Sequence, residues 1–142
     1  MSMMKNVTRE EKVNQFRKAA GKVDFDGTAA SIDESIATCI VEELNEFFIA
    51  AEAYVKDMRN YDLRADLCKE WADLQYVVSQ AAVYFNIPAE ASFNRVHNSN
   101  MTKVVDGKVL LRPDGKILKP STYQKPNMRG LWNTTYTRMS AQ

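Results

Sequence analysis

The sequence predicts an all-α protein, a helical bundle of four main helices followed by a small C-terminal β-hairpin and an irregular tail. Residues 28 to 87 contain neither Gly nor Pro, and helix interiors are where both are excluded. Three of the four prolines (Pro113, Pro120, Pro126) and three of the five glycines (Gly107, Gly115, Gly130) fall after residue 105. The chain has 142 residues, close to the roughly 150 expected of one domain. A single domain over 1–142 is therefore expected. Its helical body covers about 8–101, its hairpin and basic arm about 102–126, and its tail 127–142.

The first helix is expected to start at Thr8, with Glu11 three residues on as a capping box, and to stop at Gly21. Val23 to Ala30 reads as a loop. Ser31 and Glu34 repeat the capping-box pattern, and the second helix then runs to about Met58. A short polar break, Arg59-Asn60-Tyr61-Asp62, offers Asp62 as the next N-cap. The third helix extends to about Asn86, before Pro88. So short a break makes the second and third helices antiparallel neighbours. The fourth helix covers about Pro88 to Met101, with proline in its first turn. Two Asp-Gly pairs among apolar residues then predict a hairpin turning at Pro113–Gly115.

Composition excludes several classes. Apolar residues make up 45% and charged residues 26%, ordinary values for a globular chain and wrong for a disordered or low-complexity one. No apolar run reaches the roughly 18 residues of a membrane span. The start, Met1-Ser2-Met3-Met4-Lys5, lacks the pattern of a secretory signal. Cys39 and Cys68 make no disulfide framework, so a cytoplasmic location is expected. Two cysteines and a single histidine cannot supply a four-ligand zinc site.

The formal net charge of +1 conceals a segregation. Residues 1–100 carry 11 basic and 16 acidic side chains, whereas residues 101–142 carry 8 basic and 2 acidic. Such asymmetry fits a nucleic-acid-binding tail, or an acidic metal site served by a cationic arm for a phosphorylated ligand.

The acidic residues decide between these. On the second helix, Ile36, Ile40, Glu43, Phe47 and Ala50 form one stripe, with Glu43 in its middle and Glu46 one turn on. On the third, Leu63, Leu67, Glu70, Leu74 and Val77 form another, with Glu70 in its middle and Asp73 one turn on. A buried carboxylate costs several kcal/mol unless it is paired or neutralised. Lys69 and Arg64 lie elsewhere around the third helix, so no local cation is evident. Mg²⁺ or Mn²⁺, which prefer carboxylate and water oxygens, fit best. Either pair alone would read as solvated surface charge. Two pairs inside apolar stripes on consecutive helices point to metal. A di-iron bundle would need Glu-x-x-His twice, and the only histidine, His97, is elsewhere.

Glu42-Glu43-Leu44-Asn45-Glu46 followed by Glu70-Trp71-Ala72-Asp73 resembles the EExxE…ExxD signature of the all-α nucleoside triphosphate pyrophosphohydrolases. That superfamily includes MazG-like enzymes, dimeric dUTPases and phosphoribosyl-ATP pyrophosphohydrolases. The separation of 24 positions from Glu46 to Glu70 is compatible with it. Phe93 to Lys103 and Asp114 to Pro120 also resemble segments that MazG-like and phosphoribosyl-ATP-type members place downstream. The resemblance covers roughly residues 10 to 126 and is specific to the superfamily, not to a substrate. One departure is Ile36-Ala37-Thr38-Cys39-Ile40, where relatives often carry a basic residue.

The resemblance implies that Glu43, Glu46, Glu70 and Asp73 are the catalytic metal ligands, with Mg²⁺ as cofactor and Mn²⁺ as a substitute. Glu42 takes a peripheral role. It implies that Asn100 and Lys103 contact the nucleotide and its phosphates, with Lys119 as a further phosphate contact. Asn100 as a helix C-cap and the hairpin lysines as edge protection are the plain alternatives. Phe16, Phe25, Trp71 and Phe93 are candidates for a base slot, although aromatics at such spacing usually build core.

The expected activity is Mg²⁺-dependent hydrolysis of a (d)NTP to (d)NMP and pyrophosphate, in nucleotide-pool cleaning. The alternatives are a phosphoribosyl-ATP pyrophosphohydrolase and a non-catalytic helical nucleic-acid-binding or regulatory protein. The expected partners are the nucleoside triphosphate and further copies of the chain in a homodimer or homotetramer. Phe48, Val55, Trp71, Val78 and Tyr84 are too many apolar residues for this chain to cover alone. No membrane partner is expected, and nucleic acid is disfavoured.

Overall fold

A computed structural model describes residues 6–28 and 32–132. Four helices follow one another: α1 (Arg9–Ala19), α2 (Ser35–Lys56), α3 (Tyr61–Tyr84) and α4 (Ala89–Met101). There is no sheet among the described residues. No described helix is long and apolar enough to cross a membrane. The fold divides after Asn86 into two compact units.

In the first unit, α3 packs against both α1 and α2. The α1 capping box forms as the sequence dictates. Thr8 Oγ1 accepts from the Glu11 amide and Glu11 Oε2 accepts from the Thr8 amide, both at 3.1 Å. Gly21, at φ +71°, reverses the chain after α1. The Lys22 amide there donates to the Arg17 carbonyl at 3.0 Å, which satisfies a helix-end acceptor.

Two expected caps move. Ser31 lies outside the described residues, and α2 begins at Ser35 with Glu34 as an N-cap that makes no side-chain capping bond. Asp33 performs that task instead: its Oδ1 accepts from the Ser35 amide at 3.0 Å and from Ser35 Oγ at 2.6 Å. At α3 the N-cap is Asn60, not Asp62. Asn60 Oδ1 accepts from the amides of Asp62 (3.0 Å) and Leu63 (3.3 Å). Asn and Asp are equally good N-caps, so the sequence offered two choices. Asp62 falls in the first turn, where its charge suits the helix dipole.

The Asp57–Asn60 link turns α3 back along α2. Every apolar member of the two predicted stripes is shielded on that account: Ile36 is buried, and Ile40, Phe47, Ala50, Leu63, Leu67, Leu74 and Val77 are half-buried. The far ends of α1 and α3 are tied by Arg17, which is only 2% exposed. Its guanidinium donates to the Val23 carbonyl (3.2 Å) and to Asp24 Oδ1 (3.1 Å). It also lies 5.7 Å from the centre of the Tyr84 ring. The Tyr84 hydroxyl in turn accepts from the Asp33 amide at 2.7 Å, just ahead of α2. Tyr84 is buried inside the chain, which removes it from the predicted uncovered set. Phe48, Val55, Trp71 and Val78 remain exposed, as expected.

The second unit is α4 laced to the segment after it. Ser99 Oγ donates to the Gln124 carbonyl (2.6 Å), and the Gln124 amide donates to Thr102 Oγ1 (2.8 Å). Arg95 donates to the carbonyls of Asn127 and Arg129, both at 2.8 Å. The predicted hairpin is corrected here. Among the described residues two isolated antiparallel bridges form, Val105 with Lys108 and Leu111 with Ile117. Asp106 and Gly107, at φ +51° and +73°, make a tight two-residue turn that closes the first bridge. A second turn follows at Arg112–Gly115. The apolar residues between the turns stay exposed, so nothing drives the pairing into a ladder.

Candidate metal centre

Because α2 and α3 run side by side, their two mid-stripe acids meet. Glu43 and Glu46 from α2 and Glu70 from α3 each bring one carboxylate oxygen within 4.8 Å of the others. Glu43 and Glu70 are half-buried, and Glu46 is exposed at the rim. Glu43 Oε2 and Glu70 Oε2 are both buried without a hydrogen-bond partner. Burial first, and then the charges of Glu46, Asp73 and Glu70, push the Glu43 carboxyl above its usual range.

Asp73 sits beside this trio and is turned towards a cation. Lys69 Nζ lies 2.7 Å from Asp73 Oδ2 and 3.2 Å from Glu70 Oε1. These two carboxylates hold the Lys69 ammonium well above the usual lysine range. The sequence reading placed Lys69 elsewhere on the helix, and the structure corrects that. The missed signal is the i,i+4 spacing of Lys69 and Asp73, which puts the long lysine stem over the next turn. Among the described residues, Lys69 contacts Glu70 on one side only and makes no ion pair with Glu43, although its charge is felt there.

The donors present are three clustered carboxylates with a fourth adjacent, and no nitrogen or sulfur ligand. Two buried, unpartnered oxygens among them require compensation. That set fits a hard divalent cation.

The three residues expected to meet phosphate belong to the second unit and gather there. Lys103 Nζ donates to Asn100 Oδ1 at 3.0 Å. Lys103 and Lys119 both lie over the Tyr123 ring, at 5.5 and 5.1 Å from its centre. Tyr123, which sequence reasoning passed over, is thus the platform for two cations. Asn100 is not the C-cap of α4, which is Thr102.

Of the aromatic candidates, Phe25 is packed against Tyr84 and Phe85, and Phe16 meets Tyr76 edge-on. Phe93 is largely exposed on α4. Trp71 lines a cavity of about 190 Å³ between α1 and α3, with Val13, Tyr76, Arg9 and Lys12.

Paired helices carrying clustered acids define a class, the MazG-like all-α nucleoside triphosphate pyrophosphohydrolases. Within that superfamily, the chain belongs to the phosphoribosyl-ATP pyrophosphohydrolase family, which its residues 11–100 match. The match takes in all four acidic residues and Asn100, and ends before Lys103 and Lys119. Membership makes the protein a pyrophosphohydrolase, a hydrolase of acid anhydrides in nucleotide-like substrates. A search of curated proteins finds no match.

Proposed function

We propose that the protein hydrolyses a nucleoside triphosphate between its α- and β-phosphates, giving the monophosphate and pyrophosphate, in nucleotide-pool cleaning. The observation that carries this reading is the Glu43, Glu46 and Glu70 cluster, with its two buried and unpartnered oxygens. Glu43, Glu46, Glu70 and Asp73 would hold Mg²⁺, or Mn²⁺ in its place. The ion, when bound, supplies charge neutralisation and Lewis acidity at the phosphate being attacked. The carboxylates would fix the ion in place, and one of them would orient the attacking water. Asn100, Lys103 and Lys119 meet the polyphosphate, because fixed cations and an amide donor match its oxygens. Two free cysteines suit a cytoplasmic setting.

A second reading is favoured by the family match itself: phosphoribosyl-ATP as substrate, cleaved by the same chemistry. Assay of pyrophosphate release from dNTPs, NTPs and phosphoribosyl-ATP, with and without Mg²⁺, separates the two. Absence of release from all of them refutes both.

The arm has its own test. Lys103→Ala should raise KM for the preferred substrate by roughly tenfold, the loss expected for one charge-assisted hydrogen bond. Mn²⁺ affinity without nucleotide should not move. A collapse of metal affinity would make Lys103 structural.

The working unit is proposed to be a dimer or tetramer. Val41, Phe48, Ile49 and Val55 on α2 and Trp71 and Val78 on α3 are all exposed, and a surface so rich in apolar side chains marks an interface. Light scattering at micromolar concentration should give at least twice the 16.2 kDa chain mass. A fully active 16.2 kDa particle would contradict it.

A further inference from the structure

We infer that Lys69 is a built-in competitor for the metal site, an ammonium that must give up Glu70 and Asp73 when a divalent ion takes them. The inference rests on the metal reading above. Its own support is geometric: one Nζ bridges carboxylates of two of the four acids, at 3.2 and 2.7 Å. The lysine side chain is 64% exposed and lies on the first of the two turns that carry those acids, so it can swing away without disturbing the helix. An ammonium and a divalent ion cannot use the same carboxylate lone pairs. A positive charge this close also opposes the arrival of two more.

Lys69 therefore does two things. It relieves repulsion among the acids while no ion is bound, which keeps the α2–α3 pair together. It also weakens divalent binding, so that the site fills best when a polyphosphate arrives with the ion and offers the freed ammonium a new anionic partner. Among the described residues Glu43 and Glu46 have no such bridge, and they remain the ion's first foothold.

The test is calorimetric titration of the full chain with Mn²⁺ alone, for wild type, Lys69→Met and Lys69→Arg. Methionine keeps the length and helix preference of lysine without its charge. Lys69→Met should bind Mn²⁺ roughly tenfold more tightly, the effect of removing one solvated charge about 5 Å from a divalent ion at a water-like dielectric of about 80. Lys69→Arg, which keeps the charge, should stay near wild type. Thermal melts give a second readout. Lys69→Met should melt lower than wild type in chelator, and the gap should close or invert in saturating Mn²⁺. Unchanged or weaker Mn²⁺ binding by Lys69→Met, with wild-type binding intact, overturns the competitor role and leaves the metal site standing. No Mn²⁺ uptake by wild type overturns the metal site, and this inference with it.

Discussion

Glu43→Gln is expected to fold, to melt higher than wild type at neutral pH without divalent ions, and to lose more than roughly a hundredfold in turnover. The two effects have one cause. Glu43 sits in the α2 stripe with one oxygen buried and unpartnered, and the nearby acids repel it. An amide of the same shape removes that repulsion. It also removes a hard anionic donor from the proposed metal site, which an amide oxygen replaces poorly.

The pH dependence follows with a definite sign. The Glu43 carboxyl in the fold titrates above its ordinary value of 4.5, chiefly through burial. Between those two values the folded chain binds more protons than the unfolded one. Stability from this group is therefore present at low pH and lost as pH rises through the folded value. Wild type minus Glu43→Gln, compared by thermal melts in chelator across pH 4 to 8, should show that loss. A difference that stays flat would mean that Glu43 is solvated in the fold. Glu70→Gln should also lose turnover but gain less stability, because Glu70 already has Lys69 at 3.2 Å.

Arg17→Ala should be the most damaging single change away from the acidic cluster. Its guanidinium is buried and makes two hydrogen bonds to the segment after α1. It also lies over Tyr84, whose hydroxyl accepts from the Asp33 amide at the approach to α2. Truncation removes charge-assisted hydrogen bonds and leaves a cavity, a loss of roughly 2–4 kcal/mol. The melting temperature should fall by about 5–12 °C, on the usual scale for a chain of this size. Arg17→Met, which keeps most of the stem, should fall by about half as much, since the packing survives and the donors do not. Equal melting of Arg17→Ala and wild type would show that Tyr84 and Asp33 hold the three helices together without it.

These two sites differ in how readable they were. The acidic stripe was legible because helical period is a strong signal, and an acid inside an apolar stripe breaks it conspicuously. Glu43 and Glu70 fell where the period put them. The Arg17 tie was not legible. It depends on the turn at Gly21 bringing Val23 and Asp24 back to α1, and on Tyr84 arriving from a position 67 residues further along the chain. Lys69 was misread because the stripe argument tracks Cβ direction, whereas a long flexible side chain reaches across a turn to its i+4 neighbour. The hairpin was over-read. Turn residues were recognised correctly at Asp106-Gly107 and around Gly115, but turns alone do not make a sheet when the intervening apolar side chains have no surface to bury against.

The central claim is that the α2–α3 acids hold a divalent ion that drives cleavage between the α- and β-phosphates of a nucleotide. Pyrophosphate release by the wild-type chain, measured with Mg²⁺ and with chelator, tests it most directly. The account predicts one pyrophosphate for each nucleoside monophosphate, only with the metal present, and a rate reduced more than roughly a hundredfold in Glu43→Gln. Release of orthophosphate instead, or equal rates in chelator, would contradict it.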